Sequence, residues 1–181
     1  NEIDNYSIIN FNNNTYHVLN KYSNKNIAVQ ILDYLNYIIY LICIYLQKHY
    51  KKYTVKEQNS IKCFLDIHPN NCLLSEMQLN TPFDGLNKPR NVYKSNKGKL
   101  GCDKHLRAKN RHIFLTLRNE NGSFRHIDTI MNLTLHEITH TMCNHVTWTD
   151  DNHKEDFIRD EKILTNAYNK ILTSLKLKKN F

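Results

Sequence analysis

The sequence predicts an α+β fold, and three features of its apolar pattern carry that prediction. Residues 27–46 are a long apolar run with helical spacing, residues 112–118 are β-branched and aromatic in the manner of a strand, and helical periodicity returns at residues 131–142 and 157–175. With 181 residues, 40% of them hydrophobic, the chain suits a single domain over residues 1–181 with enough apolar material for a core. That composition excludes wholesale disorder, and the presence of only 4 Gly and 3 Pro excludes collagen-like and flexible-linker chains.

The first helix rests on Ile27, Ile31, Leu35, Ile38, Ile42 and Leu46, which recur at helical spacing while Gln30, Asp33, Tyr37, Tyr40 and Gln47 occupy another face. A cap is expected near residues 23–26. Gln30, Asp33 and Asn36 interrupt the run and leave residues 37–46 unbroken, too few to cross a bilayer core of about 30 Å, so a core helix is expected and no membrane span. After a polar, basic stretch at residues 48–56, the short apolar run at 61–65 reads as a strand or a helix end, stopped by the turn signal His68-Pro69-Asn70-Asn71. Residues 80–110 read as loop, with Pro82, Gly85, Pro89, Gly98 and Gly101, and at most short strands near 91–94. The strand at 112–118 ends in the turn Asn119-Glu120-Asn121-Gly122. Asp128 or Thr129 then caps a helix whose inner stripe is Met131, Leu135, Ile138 and Met142. A loop at 144–152 leads to a last helix with Phe157, Leu164, Tyr168, Ile171 and Leu175 on one side.

The net charge of +8 has an address. Lys88, Arg90, Lys94, Lys97, Lys99, Lys104, Arg107, Lys109 and Arg111 lie within residues 88–111 beside one acid, Asp103, and the rest of the chain is charge-balanced. Such a tract is a candidate phosphate or acidic-substrate surface, with Lys97, Lys99, Arg107 and Lys109 as its expected DNA contacts; a solvated basic loop is the plainer alternative. Tyr93 is its one aromatic residue, too little for a base-stacking platform. Five cysteines without a CxxC pair form neither a zinc ribbon nor a complete disulfide framework, and a reducing intracellular compartment is the expectation. The start at Asn1-Glu2, without an initiator Met, suggests a processed or truncated product.

His136-Glu137-Ile138-Thr139-His140 places chemistry on the third periodic segment. Residues i and i+4 share a helical face, so both imidazoles can reach one tetrahedral zinc, while Glu137 sits one step round. A carboxylate there can take the proton of a zinc-activated water as it attacks a peptide carbonyl. A catalytic zinc needs a third protein ligand. His153, which a chain reversal in the 144–152 loop can present, is favoured over His145, since a helix running on past Met142 carries His145 away. Asp150, Asp151, Asp156 and Glu161 also offer donors. His145 then reads as a surface histidine or one that supports a ligand from behind, Cys143 as a buried small side chain, and Trp148 as core or pocket wall.

The HExxH run, followed after twelve residues by His153-Lys154-Glu155-Asp156-Phe157, resembles the SprT-like and WLM (Wss1-like) zinc metallopeptidases, and residues 112–175 are similar to metallopeptidases of this type encoded by large DNA viruses. The resemblance implies a minimal zincin-like fold, with Zn2+ held by His136, His140 and His153 and Glu137 as general base. It also implies that Ile113, Phe114, Leu115, Thr116 and Leu117 form a sheet edge that pairs with an extended peptide, and, since cellular members of these families cleave proteins crosslinked to DNA, that DNA-associated proteins are candidate substrates. Lys154 stands where SprT-like members have Gly, and WLM members place the third His nearer the motif. The resulting expectation is a zinc endopeptidase, acting in a host cell or virion if viral. Its competitors are a zincin-fold structural or virion protein without proteolysis and a basic nucleic-acid-binding module with a structural zinc.

Overall fold

Two strands precede the long helix. In the computed structural model, which describes residues 5–95, 106–147 and 154–179, β1 (Tyr6–Phe11) and β2 (Asn14–Leu19) pair antiparallel across Asn12 and Asn13. Those asparagines have φ of 48° and 64°. A two-residue loop with both residues left-handed matches the twist of a hairpin, and asparagine tolerates that region better than most residues. The sequence reading has no element here.

α1 (Lys25–His49) extends the predicted helix by about a turn, and its inner face is Ala28, Val29, Leu32, Leu35, Ile38, Ile39, Ile42 and Leu46. Ile27, predicted to face inward, is 44% exposed, so the buried face is rotated relative to the stripe read from sequence. By length and composition, Lys25–Lys52 is apolar enough to cross a membrane, yet its inner face fills the centre of the core. The apolar run at 61–65 belongs to α2 (Val55–Ile67), which begins at a capping box: Thr54 Oγ1 accepts from Glu57 N at 3.3 Å, and Glu57 Oε1 accepts from Thr54 N at 2.9 Å. β3 (Cys72–Glu76) follows.

The stretch read as loop is the largest departure. β4 (Gly85–Lys94) and β5 (Leu106–Leu115) are ten-residue antiparallel partners. Polar and basic side chains occupy both faces here, Asn87 toward the helices and Lys88 over the Phe114 ring on the other side, so alternation produces no apolar signal. The five strands run β1-β2-β3-β5-β4, with β2–β3 and β3–β5 parallel. β5 is therefore interior, which corrects the edge-strand expectation. Ile113 and Leu115 are fully buried, Phe114 lies between β3 and β4, Thr116 N donates to Asp84 O at 2.9 Å, and Leu117 O accepts from Arg125 N at 2.8 Å. The edge beside the motif helix is β4. It carries Pro89, a residue that edges accept.

α3 (Ile127–Met142) buries Met131, Leu135, Ile138 and Met142 as predicted, but its cap is His126, whose Nδ1 accepts from Asp128 N at 3.2 Å. α4 (Glu155–Lys179) buries Phe157, Leu164 and Ile171, with Tyr168 and Leu175 packed on the same core. The predicted α+β class stands, with a long helix, a small sheet, a motif helix and a C-terminal helix, two of the five strands coming ahead of the long helix.

Candidate active site

The last two turns of α3 carry the motif. His136 and His140 are half-buried on one helical face, their rings edge to face with centroids 5.2 Å apart. Phe157, from the first turn of α4, packs against both at 5.0 and 4.9 Å. Glu137 sits one step round the helix from these rings and lies against β4, where it is 5% exposed. Burial pushes its carboxyl up to about 7.

What admits Glu137 is Gly85. A Cβ on Gly85 would stand 2.8 Å from Glu137 Oε1 and 2.8 Å from Leu133 Cδ1, so with glycine the β4 backbone lies against the carboxylate, and any larger residue would displace these two side-chain ends. Two residues on, Asn87 Nδ2 donates to Glu137 O at 2.7 Å and Thr141 Oγ1 at 2.8 Å, pinning the edge strand to the motif helix. The sequence reading missed both residues. A lone glycine inside a strand is a sign of close backbone approach, but it is legible only once the segment is read as a strand.

Zinc favours nitrogen donors, and two imidazoles on one helical face with a carboxylate beside them fit half of its shell. The predicted third ligand, His153, lies outside the described residues, as do Asp150, Asp151 and Trp148. Among the described residues no group of three His, Cys, Asp or Glu converges to hold a metal ion. Asp156 lies 3.4 Å from the Arg159 guanidinium, and Glu161 Oε2 lies 3.6 Å from His136 Nδ1. The premise used against His145 is corrected. α3 stops at Met142, Asn144 turns the chain with φ 55°, and His145 N donates back to His140 O at 3.0 Å. His145 thereby returns to the motif.

Behind α3, Thr141 Oγ1 also meets His68 Nε2 at 3.0 Å, and Arg111 Nη1 donates to Asn87 Oδ1 at 3.2 Å and His145 O at 2.9 Å. His68 is 3% exposed, and burial, with the Arg111 charge added, lowers its pKa to about 3. A histidine lowered in the folded state contributes stability that is complete above the unfolded value of 6.5 and lost as pH falls toward 3. Between pH 7 and 5 the parent chain is expected to lose about 2 kcal/mol more stability than His68→Gln, by proton linkage. Urea unfolding of both metal-free chains checks this, and parallel pH dependences would refute it.

The basic tract divides. Arg107 is 2% exposed and bonds Asp66 at 3.0 Å, and Arg111 is buried in the network just described, so neither faces a polyanion. This corrects Arg107 as a DNA contact: a guanidinium held by a carboxylate serves the fold. Lys109 is exposed beside Tyr93, while Lys97 and Lys99 lie outside the described residues. Cys43, Cys63, Cys72 and Cys143 are not joined in disulfides.

No known family model matches the sequence, and no curated protein is similar to it at a significant level. Among solved structures, the chain is similar to a crystal structure of a mutant Wss1 from S. pombe, at 21% identity over 83% of this chain and 91% of that one, with a TM-score of 0.37.

Proposed function

We propose that this chain is a zinc-dependent endopeptidase. The observation that supports this reading is the division of labour on one helix: His136 and His140 present imidazoles on one face, while Glu137 is buried against Gly85 of the edge strand. His136 and His140 would hold the metal, with His153 proposed as the third ligand. When bound, zinc supplies Lewis acidity that acidifies a water and polarises a carbonyl.

The chain's own residues do the rest. Glu137, with its carboxyl near neutrality, accepts the proton of the attacking water and returns it to the departing amine. Its position against β4 puts it beside any peptide that adds as a further strand to that edge, which moves the proposed substrate-pairing role from residues 113–117 to β4. Asn87 and Arg111 hold the helix end and the His145 turn in place while this happens. Exposed Lys88, Arg90, Lys94 and Lys109 on the β4–β5 pair are the proposed phosphate contacts, and they would bring DNA-associated proteins to that edge.

Metal analysis of the purified chain is expected to find about one zinc per chain by the three-ligand logic of such sites, and chelation is expected to end hydrolysis of an unfolded protein substrate. A chain that takes up no zinc and cleaves nothing would overturn the proposal.

A further inference from the structure

The motif's second histidine has a partner that the HExxH pattern does not include. His140 Nδ1 and His145 Nδ1 are 2.9 Å apart. Two nitrogens sharing one tetrahedral zinc at about 2.0–2.1 Å each stand roughly 3.3–3.4 Å apart, so the separation of these two Nδ1 atoms is that of a hydrogen bond and not of an Nδ1 pair on one ion. A hydrogen bond between two ring nitrogens needs one proton, and the two ways of placing it have opposite consequences. With the proton on His140 Nδ1, Nε2 of His140 presents its lone pair to a metal; with the proton on His145 Nδ1, Nε2 of a neutral His140 carries a hydrogen and cannot ligate.

We infer that His145 is a positioning residue which accepts the His140 Nδ1–H bond and so fixes His140 in its metal-binding tautomer. This rests on the zinc reading of the site, and three features of the fold support it. The Asn144 turn and the His145 N to His140 O bond return the residue to the helix end. Arg111 holds the His145 carbonyl at 2.9 Å, and Phe157 lies nearly parallel to the His145 ring at 6.3 Å with an interplanar angle of 16°. Finally, Glu161 of α4 sets Oε2 3.6 Å from His136 Nδ1, which places a carboxylate near the same ring nitrogen of the other motif histidine. Outer partners that orient ligating imidazoles are a general device of metal sites, and here a second imidazole takes the place of the usual carboxylate or carbonyl.

The test uses His145→Ala and His145→Asn, the latter because Asn Oδ1 occupies nearly the place of the Nδ1 acceptor. In the metal-free parent, long-range proton–nitrogen NMR should find the His140 proton on Nδ1; His145→Ala should release it to Nε2, and His145→Asn should restore it. Zinc titration should find one site in all three chains, about 10–100-fold weaker in His145→Ala, the range typical of lost outer partners, and close to parent in His145→Asn. The cobalt-substituted spectrum should keep its tetrahedral bands throughout. Loss of the zinc site in both variants would make His145 a ligand and overturn the inference, as would an unchanged tautomer and affinity in His145→Ala. If the parent binds no zinc, the proposed function fails, while the metal-free tautomer measurement still decides the role of His145.

Discussion

Glu137→Gln is expected to keep zinc and to lower peptide hydrolysis by about 10^2–10^4-fold, the usual contribution of a positioned general base. The metal is retained because the two imidazoles, and not Glu137, are its proposed ligands, while Glu137 lies against β4. The fold is retained because an amide of the same shape fits against Gly85 and Leu133. A further sign separates this variant from a merely damaged one. Burial raises the Glu137 carboxyl to about 7, so in the metal-free chain its ionisation costs stability as pH rises from the unfolded value of 4.5 through 7. The glutamine carries no such charge, and metal-free Glu137→Gln should unfold at higher urea than the parent at pH 8. Gly85→Ala attacks the same carboxylate from the strand side. Its methyl would meet Oε1 at 2.8 Å, so activity should fall about tenfold or more with Glu137 intact. Full activity in Glu137→Gln would remove Glu137 as the base, and full activity in Gly85→Ala would show that the carboxylate yields to the added methyl.

What the sequence reveals about this site follows the physics of each element. The motif helix was legible because Met131, Leu135, Ile138 and Met142 face the core while the HExxH residues ride on the same turns. The C-terminal helix was legible for the same reason. The sheet was not. β4 and β5 carry lysine, arginine and asparagine on both faces, and residues such as Arg111 and Asn87 are turned inward to bond α3 and its end, which no hydropathy pattern reports. Arg107 shows the same difficulty from the other side: its charge suggested a surface, and Asp66 of α2 holds it within the fold. The β1–β2 hairpin could have been read from Asn12-Asn13 between two β-rich six-residue runs. His145 needed the helix to stop at Met142, a boundary that depends on the left-handed Asn144 and is the least predictable kind of feature.

Glu76→Gln is expected to destabilise the metal-free chain by about 3–5 kcal/mol, the cost of leaving one member of a buried ion pair without its partner. Arg118 Nε bonds Glu76 Oε1 at 2.6 Å, and the two side chains are 1% and 0% exposed. The guanidinium lies between the Tyr22 and Phe124 rings, 4.0 and 4.3 Å from their centroids, and donates to Asn24 Oδ1 at 2.6 Å and Gly122 O at 3.2 Å. Glu76 Oε2 in turn accepts from Leu19 N at 3.0 Å. One pair thus ties the end of β2, the start of α1, the end of β3 and the turn at residues 119–124 that leads into α3. Against a total stability of about 5–15 kcal/mol, the loss brings the chain close to unfolding. Zinc works in the opposite direction, because a ligand held only by the folded state stabilises it by about 4 kcal/mol at a thousand times its Kd. Glu76→Gln should therefore unfold at low urea in chelator and recover much of the parent's midpoint in saturating zinc. A normal midpoint in chelator would show that the pair contributes little, and a low midpoint that zinc leaves unmoved would count against a metal site formed only in the folded chain.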